Sequence, residues 1–585
     1  MAEAAVETTK TKPGWRTLAV SLKNPKSGYM ALFGFASGLP FALFLGTLYA
    51  WLTEAEVSVE TMGVFSLIGL AYAFQFLWSP LLDKVNIPGL RRLGKRKQWI
   101  APMQLLLGII LVTMSLLDPK SALGLFSLLA AIGAFASATQ DIAINAWRID
   151  VADEEATIDI LSTITQMGFR LAALVGGALG LIIAERIGWP QTYVMMGVIM
   201  LAIGFAGLFA PDADVEKRSA ATVAANNEDV AELYLAGEIE PKTRNWALLA
   251  VGLLWAWAIG TVVLFMYRSM TYAPDLRPNP TEFTATYGPL IIFATIVVPA
   301  FIAAWLSKLK KDGNRVISHT AAAFNPQDVT FTDHLYRALV LPLVEFVGRM
   351  GWALVLILAL VLTYRITDAI WGTFAYPFYL GELNYTGDEV AFASKFFGVG
   401  AIILGLALGG WLITVIGRMF TLTLGAALAA ATNLLYADLA LGGANMQAAS
   451  DLMGFTALIN AIAPFGSEGL ARLTFTIWWE NLAIGIAGAA YIAWLSSIVN
   501  KKYAAVQYAL LASLTLLVGT LGRGALGEMI EDRGYYFVFI FTALIGVIAV
   551  VLCVLEWIRE ARTGYAGVVA PDTHDATTEL AEPAE

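Results

Sequence analysis

The run Phe76-Leu77-Trp78-Ser79-Pro80-Leu81-Leu82-Asp83-Lys84, followed by Gly94-Lys95-Arg96-Lys97, decides the fold. An apolar segment ends in an acid, and the turn beyond it carries a basic cluster. That order marks the place where a helix leaves a membrane. Asp83 and the cluster can latch a gate by ion pairing, or the cluster can simply anchor the orientation; the two roles are compatible. About 20 apolar residues span the hydrocarbon core as a helix. Working outward, runs of that kind recur near 29–52, 62–82, 99–117, 121–147, 161–184, 191–210, 246–266, 287–306, 350–380, 390–411, 419–440, 470–498, 503–526 and 535–558, about 14 spans in all.

Composition agrees. The 585 residues are 58% hydrophobic and 14% charged, with a mean hydropathy of +0.68, whereas soluble domains carry about a quarter charged residues. An ordinary cytosolic enzyme is excluded, and the loops are too small to house a separate one. Net charge is -9, but the placement of charge says more than its sum. Most of the 37 Lys and Arg fall on alternate loops, on the side of the N-terminal tail, so both termini are expected to be cytoplasmic. The polar residues before the first span do not read as a signal peptide. Cys553, the sole cysteine, excludes a disulfide framework or a cysteine metal site.

The spans group as six, two and six. The expected organisation is a tail (1–28), a six-helix bundle (29–211), a cytoplasmic linker (212–245), two added spans (246–306), a loop with an interfacial amphipathic helix near 333–347 (307–349), a second six-helix bundle (350–558) and a tail (559–585). An all-α membrane protein of two six-helix halves is how a major facilitator is built. Ile416-Gly417-Arg418, at the turn equivalent to Gly94–Lys97, is an eroded echo of the first half. The 441–469 insertion stands on the other side, with no assigned role.

Ionisable groups at span depth are costly and face a cavity or a partner. Asp141, Asn145 and Arg148 share one helical face, with Gln140 beside them, and Gln166 and Arg170 lie four apart in the next span. Arg170 can clamp a carboxylate bidentately. Arg170 or Arg148 can instead neutralise Asp141 or Asp83 as a structural pair. In the second half Arg365, Asp368, Gly372 and Tyr379 line one face, with Lys395 at similar depth. A carboxylate between Arg365 and Lys395 changes its proton affinity when those partners move, as coupling requires; a permanent ion triad is the alternative. Glu480, beside Asn481, is a second protonation candidate. Trp371, Phe374, Tyr376, Trp478 and Trp479 can stack on sugar rings, with Trp371 the deepest; Tyr379 reads better as part of an interfacial aromatic belt.

Other signals carry less. Gly522-Arg523-Gly524-Ala525-Leu526-Gly527 matches a dinucleotide fingerprint but lacks a βαβ setting. Gly176-x-x-x-Gly180 and Gly405-x-x-x-Gly409 are close-packing motifs. The acids Asp150, Asp153, Glu154, Glu155 and Asp159 read as a solvated loop.

Gly34-Phe35-Ala36-Ser37-Gly38-Leu39-Pro40 with Gly46-Thr47-Leu48, the Phe76–Lys97 stretch, Ala136-Ser137-Ala138-Thr139-Gln140-Asp141-Ile142, Tyr364-Arg365-x-x-Asp368, Glu480-Asn481 and Ala505-x-Gln507-x-Ala509-Leu510-Leu511 resemble the AmpG muropeptide permeases. The resemblance covers both halves; a weaker one extends to acetyl-CoA transporters. It implies proton-driven import of anhydro-muropeptides through the bacterial inner membrane, with a link to β-lactamase induction. It also implies that Ala138 and Gln140, and less strongly Gly38 and Gly46, matter for uptake. The chain departs from the family at Gln75, often Lys there, and at Asn145, often Asp; losing both charges together preserves neutrality.

The expectation is therefore a symporter and not an enzyme, with Gln140, Gln166, Arg170, Trp371 and Tyr376 near substrate. Asp141, Asp368 and Glu480 are the proton candidates, and Arg365, Lys395, Asp83 and Arg148 are charge partners or gate residues. Its partners are a small glycopeptide, protons and the bilayer, with no cofactor, metal or nucleic acid, and the chain is expected to be monomeric. A carrier for another bulky anion such as acetyl-CoA is the alternative, and a membrane-embedded transferase the alternative of another class.

Overall fold

The computed structural model describes residues 15–57, 71–72, 74–211, 241–272, 276, 278–311, 331–365, 374–375, 377–463, 466–467 and 469–563. Among them there are helices and no strand. Ten helices are long and apolar enough to cross a bilayer: α1 (Pro25–Glu54), α3 (Lys97–Ser115), α4 (Gly124–Val151), α5 (Ile158–Ile187), α6 (Trp189–Gly207), α7 (Lys242–Arg268), α8 (Thr286–Leu309), α11 (Gly387–Val415), α12 (Arg418–Ala440) and Met529–Thr563. The short α2 (Ser79–Lys84) ends the second expected span, whose first part lies outside the described residues. Two bent pairs pass the same test only together, giving up to 12 candidate spans among the described residues. Leu341–Met350 (α9) meets Ala353–Thr363 (α10) at 105°, and Leu470–Ser497 (α13) meets Lys501–Thr515 at 103°. The run Ala504–Thr563 breaks at Gly534, whose φ of 75° suits glycine; its arms are α14 (504–533) and α15 (535–563).

Local chemistry sets the boundaries. The Asn24 side chain accepts from the Lys26 N–H and Pro25 opens α1. Thr157 caps α5, and Thr386 with Glu389 makes a reciprocal capping box on α11. Single π-helical turns interrupt α1 (Leu43–Thr47), α5 (Leu174–Leu179), α8 (Phe293–Val297) and α11 (Phe392–Gly398); such bulges gather at functional sites.

α1 lies along α5, α3 along α6 and α4, and α11 and α12 along α13. Without a hydrophobic drive inside lipid, small residues let helix backbones touch. A Cβ on Gly34 would stand 2.4 Å from Thr165 O, and one on Gly405 would stand 2.2 Å from Leu482 O. The outer surfaces carry large exposed apolar side chains such as Phe205, Leu253, Phe301 and Val547, a lipid-facing pattern.

α5 packs on α11 and α13, and the Ala504–Thr563 run packs on α2 and α4. The first six helices and the last set therefore meet through two reciprocal contacts. α7 and α8 straddle them: Trp255 of α7 packs edge-on against Phe76, and Pro280–Ile292 touches the Ala504–Thr563 run. The expected amphipathic piece forms two helices, Phe331–Leu339 and α9. Glu345 of α9 accepts from Gln507 Nε2 at 2.7 Å and from Asn500 Nδ2 at 2.9 Å, tying α9 to the α13–α14 turn. The 441–469 insertion contains two short helices, and its Phe455 packs on Phe397, Phe475 and Trp478.

Candidate functional site

The contacts that join the two helix sets gather at the end bearing the basic loops. Arg96 Nη1 donates to Asp83 Oδ1 at 2.7 Å, and Arg96 Nε donates to Asp150 Oδ2 at 2.6 Å. Burial alone would lower the Arg96 pKa, but Asp150 and Asp83 together hold it above its ordinary value. The other Asp83 oxygen accepts from the Val506 N–H at 3.1 Å. It thereby satisfies an orphan donor in the first turn of α14, where the helix dipole favours a negative charge. One carboxylate from the first set thus caps a helix of the second.

A mirrored contact lies opposite. Arg418, opening α12 after Gly417 in a left-handed turn (φ 124°), forks onto Asp159 in the first turn of α5 at 2.7 and 3.1 Å. Here the cation reaches across and the acid sits on the receiving helix. Lys501 Nζ donates to Ala152 O at 3.0 Å, and Arg148 Nη2 donates to Ser496 Oγ at 2.9 Å. Tyr508 places its ring 5.1 Å from the Arg148 guanidinium carbon.

These contacts also fix which helix faces line the gap between the sets. Asp159, Thr163, Gln166 and Arg170 recur at helical spacing on α5. Asp159 pairs with Arg418, and Thr163 is pressed on Gly410 of α11, where a Cβ would lie 2.6 Å from its methyl. Gln166 and Arg170, both half-buried, continue that spacing along α5 away from the latched end. On α4 Asp141, Asn145 and Arg148 recur at the same spacing, and Arg148 is the member that reaches across to the second set. Ser37 of α1 donates to Asp141 Oδ1, and Asn145 Nδ2 reaches Asp141 Oδ2 at 3.2 Å.

Other expected residues sit elsewhere. Gln140 is fully buried and donates to Ala36 O at 2.7 Å, towards α1. Ala138 is buried as well. Gly38 permits helix contact, because a Cβ there would lie 2.5 Å from Phe169 O; Gly46 faces open space within the α1 π turn. In the second set the Tyr436 hydroxyl donates to Glu480 and exchanges a 2.8 Å hydrogen bond with Tyr379. Arg365 follows α10 near Tyr491, and Lys395 is exposed in the α11 π turn. Asp368, Trp371, Gly372 and Tyr376 lie outside the described residues, and the proposed triad around Asp368 with them. Among the described residues no His, Cys, Asp and Glu group could hold a metal.

Residues 30–326 of the 585 match the Major Facilitator Superfamily. The chain belongs to the Major Facilitator Superfamily. Among solved major facilitators, the proton:xylose symporter XylE bound to 6-bromo-6-deoxy-D-glucose superposes with a TM-score of 0.50 at 10% identity, covering 93% of this chain and 95% of that one. That likeness is one of fold alone. The anhydromuropeptide permease of Escherichia coli (strain K12) is 26% identical over 544 residues, 92% of this chain and 82% of that protein. The putative transporter AmpG 4 of Rickettsia felis is 27% identical over 517 residues, 88% of this chain and 92% of that protein. As a major facilitator with permease relatives, the protein is a multi-pass membrane transporter and not an enzyme.

Three readings of the sequence need correction within this major-facilitator frame. The loop acids are not simply solvated, since Asp150, Asp153 and Asp159 pair with Arg96, Lys26 and Arg418. Tyr379 is 5% exposed and bonded to Tyr436 rather than part of an interfacial belt. Arg148 forms no hydrogen-bonded pair with Asp141 or Asp83: it bonds Ser496 and acts on Asp141 only through space. Ser37, Tyr436 and Ser496 escaped the sequence reading. Only Ser37 left a signal there, as a polar residue inside the quoted first-span motif. Charge reversal tests the mirrored latch. Asp159→Arg and Arg418→Asp should each destabilise the protein, and the double variant should recover about 0.5–3 kcal/mol, the coupling typical of such a pair. Thermal unfolding in detergent measures it; strictly additive losses would dissolve the pair.

Proposed function

We propose that the protein imports anhydromuropeptides across the bacterial inner membrane by proton-coupled alternating access, moving between conformations open to one side at a time. The observation that carries the substrate is the alignment of nearly the whole chain with a permease named for anhydromuropeptides. The two-set architecture with its latched end supports the transport cycle. By the positive-inside rule the basic end is cytoplasmic, and so are both termini. The latched conformation is then the one that receives cargo from outside. In this reading Gln166 and Arg170 face the cargo, Arg170 taking a carboxylate, and the six, two and six grouping sets the domain boundaries. The aromatic residues Trp371 and Tyr376 stack on sugar.

Coupling rests on a carboxylate that is protonated in one conformation and released in the other. Glu480 at its Tyr436 hydroxyl, Asp141 at Ser37 and Asp368 are the candidates. Uptake of radiolabelled anhydromuropeptide into proteoliposomes is expected to require an inward proton gradient. Among Glu480→Gln, Asp141→Asn and Asp368→Asn, at least one should lose gradient-driven accumulation while retaining counterflow exchange. If all three keep gradient-driven uptake, coupling through these carboxylates is wrong. If wild-type uptake ignores the gradient, the symport reading fails outright.

A further inference from the structure

The Arg148 guanidinium is the least satisfied charge in the contact between the two sets. Its side chain is 0% exposed. Nη2 bonds Ser496 across the gap and Tyr508 covers one face, but Nε and Nη1 have no hydrogen-bond partner among the described residues. A buried charged donor left unmet is costly. A carboxylate's two oxygens fork onto Nη2 together with either Nε or Nη1. With one Nη2 hydrogen on Ser496, one such edge stays open. Among the described residues no carboxylate hydrogen-bonds it, Asp141 on the same helix acting on Arg148 only through space. The hydrogen bond and the ring contact of Arg148 both come from the opposite helix set, so an anion that draws the guanidinium away competes directly with the latch.

We infer that Arg148 is a second anion site on the transport path, at the latched end, and that cargo binding there releases the latch. This deepens the proposed function and rests on its transport reading. Arg148 stands near the end of α4 and Arg170 well inside α5, so at about 1.5 Å rise per residue they differ in depth by roughly 13 Å. The chemical class is a carboxylate-bearing solute. A muropeptide meets it through the carboxylates of its peptide. The anion leaves Arg170, reaches the unfilled edge of Arg148, and draws the guanidinium from Ser496 and Tyr508. The cargo thereby opens the side through which it exits, and the empty carrier stays latched.

The test uses the full-length protein in proteoliposomes, with a radiolabelled anhydromuropeptide and its carboxyl-amidated analogue. Arg148→Gln should lower uptake of the acid form at least tenfold while outer-side binding stays within twofold. The wild type should take up the amide at least tenfold more slowly than the acid, and Arg148→Gln should not distinguish the two. Arg148→Lys, which keeps the charge but not the fork, should fall between and checks that folding is not at issue. Ser496→Ala should leave uptake within threefold. A variant that transports like wild type, or that still discriminates acid from amide, overturns the assignment. So does one that loses binding in step with uptake. A gate assay separates this outcome from failure of the muropeptide reading. With Cys553→Ser and Thr163→Cys, basic-side thiol labelling without any substrate should rise at least threefold on adding Ser496→Ala. If wild type transports no muropeptide, the substrate reading fails alone; if labelling does not rise, the latch fails.

Discussion

Replacing Arg96 with leucine is expected to unlatch the basic end and to destabilise the protein more than any other single charge removal. The guanidinium sits between Asp83, whose side chain is 1% exposed, and Asp150, at 14%. Removing one member of a buried pair leaves an uncompensated charge and costs about 3–5 kcal/mol. Here two carboxylates lose their cation together, and the Val506 N–H compensates only one of them. If the whole cost fell on the latched conformation, its equilibrium with the unlatched one would shift on the order of 10²–10⁴-fold. Arg96→Lys should rescue little, because one ammonium cannot reproduce a fork that uses Nε for Asp150 and Nη1 for Asp83. Neighbouring Lys95 cannot substitute either, standing 4.0 Å from Asp83 with an exposed side chain. Cys553 is the only cysteine and is buried, so Cys553→Ser gives a clean background for labelling. In that background Ala152→Cys should be labelled from the basic side at least tenfold faster when Arg96→Leu is added. Equal labelling rates and an unchanged melting temperature would refute the latch.

Gly405→Val is the second large effect, through packing rather than charge. A Cβ at Gly405 would stand 2.2 Å from Leu482 O and 3.1 Å from Gly485 Cα. The reciprocal Cβ at Gly485 would stand 2.4 Å from Ile402 O. These are backbone atoms on both sides, so no rotamer change relieves the clash and α11 must separate from α13. Overpacking in ordinary cores costs about 1–3 kcal/mol; here the upper limit or more is expected, together with loss of monodisperse protein in detergent. Gly400→Ala is the control in the same helix. Nothing lies within 4 Å of its added Cβ, and helix propensity favours alanine over glycine by about 1 kcal/mol. Equal melting temperatures for Gly405→Val and Gly400→Ala would mean that the backbone contact does not hold these helices.

What could be read early followed from periodic, local or additive properties. Spans announce themselves by length and hydropathy, and glycine motifs by spacing. The 405–409 motif was legible as a packing device, and its partner Gly485 was not, because the sequence does not say which helices touch. The Asp83–Arg96 latch was legible since its members lie in one loop. Its third and fourth members, Asp150 and the Val506 N–H, come from α4 and α14. Loop acids such as Asp159 look solvated until another loop delivers Arg418 to them. Tyr379 looked like a belt residue from its position near a span end, and only packing against α12 shows it buried on Tyr436.

From the order of residues alone came the membrane, the helices, the two-set plan, the alternation of charge and a short roster of buried ionisable groups. All of these are set by free energies that depend on a residue's own transfer into lipid and on its near neighbours. Tertiary structure decided the partners: Arg148 with Ser496 and Tyr508, Asp159 with Arg418, Glu480 with Tyr436. It decided, too, that the basic end is the closed one. Pairing across the chain depends on distances between helices far apart in sequence, and a buried charge takes its role from whichever group the fold places within hydrogen-bond reach.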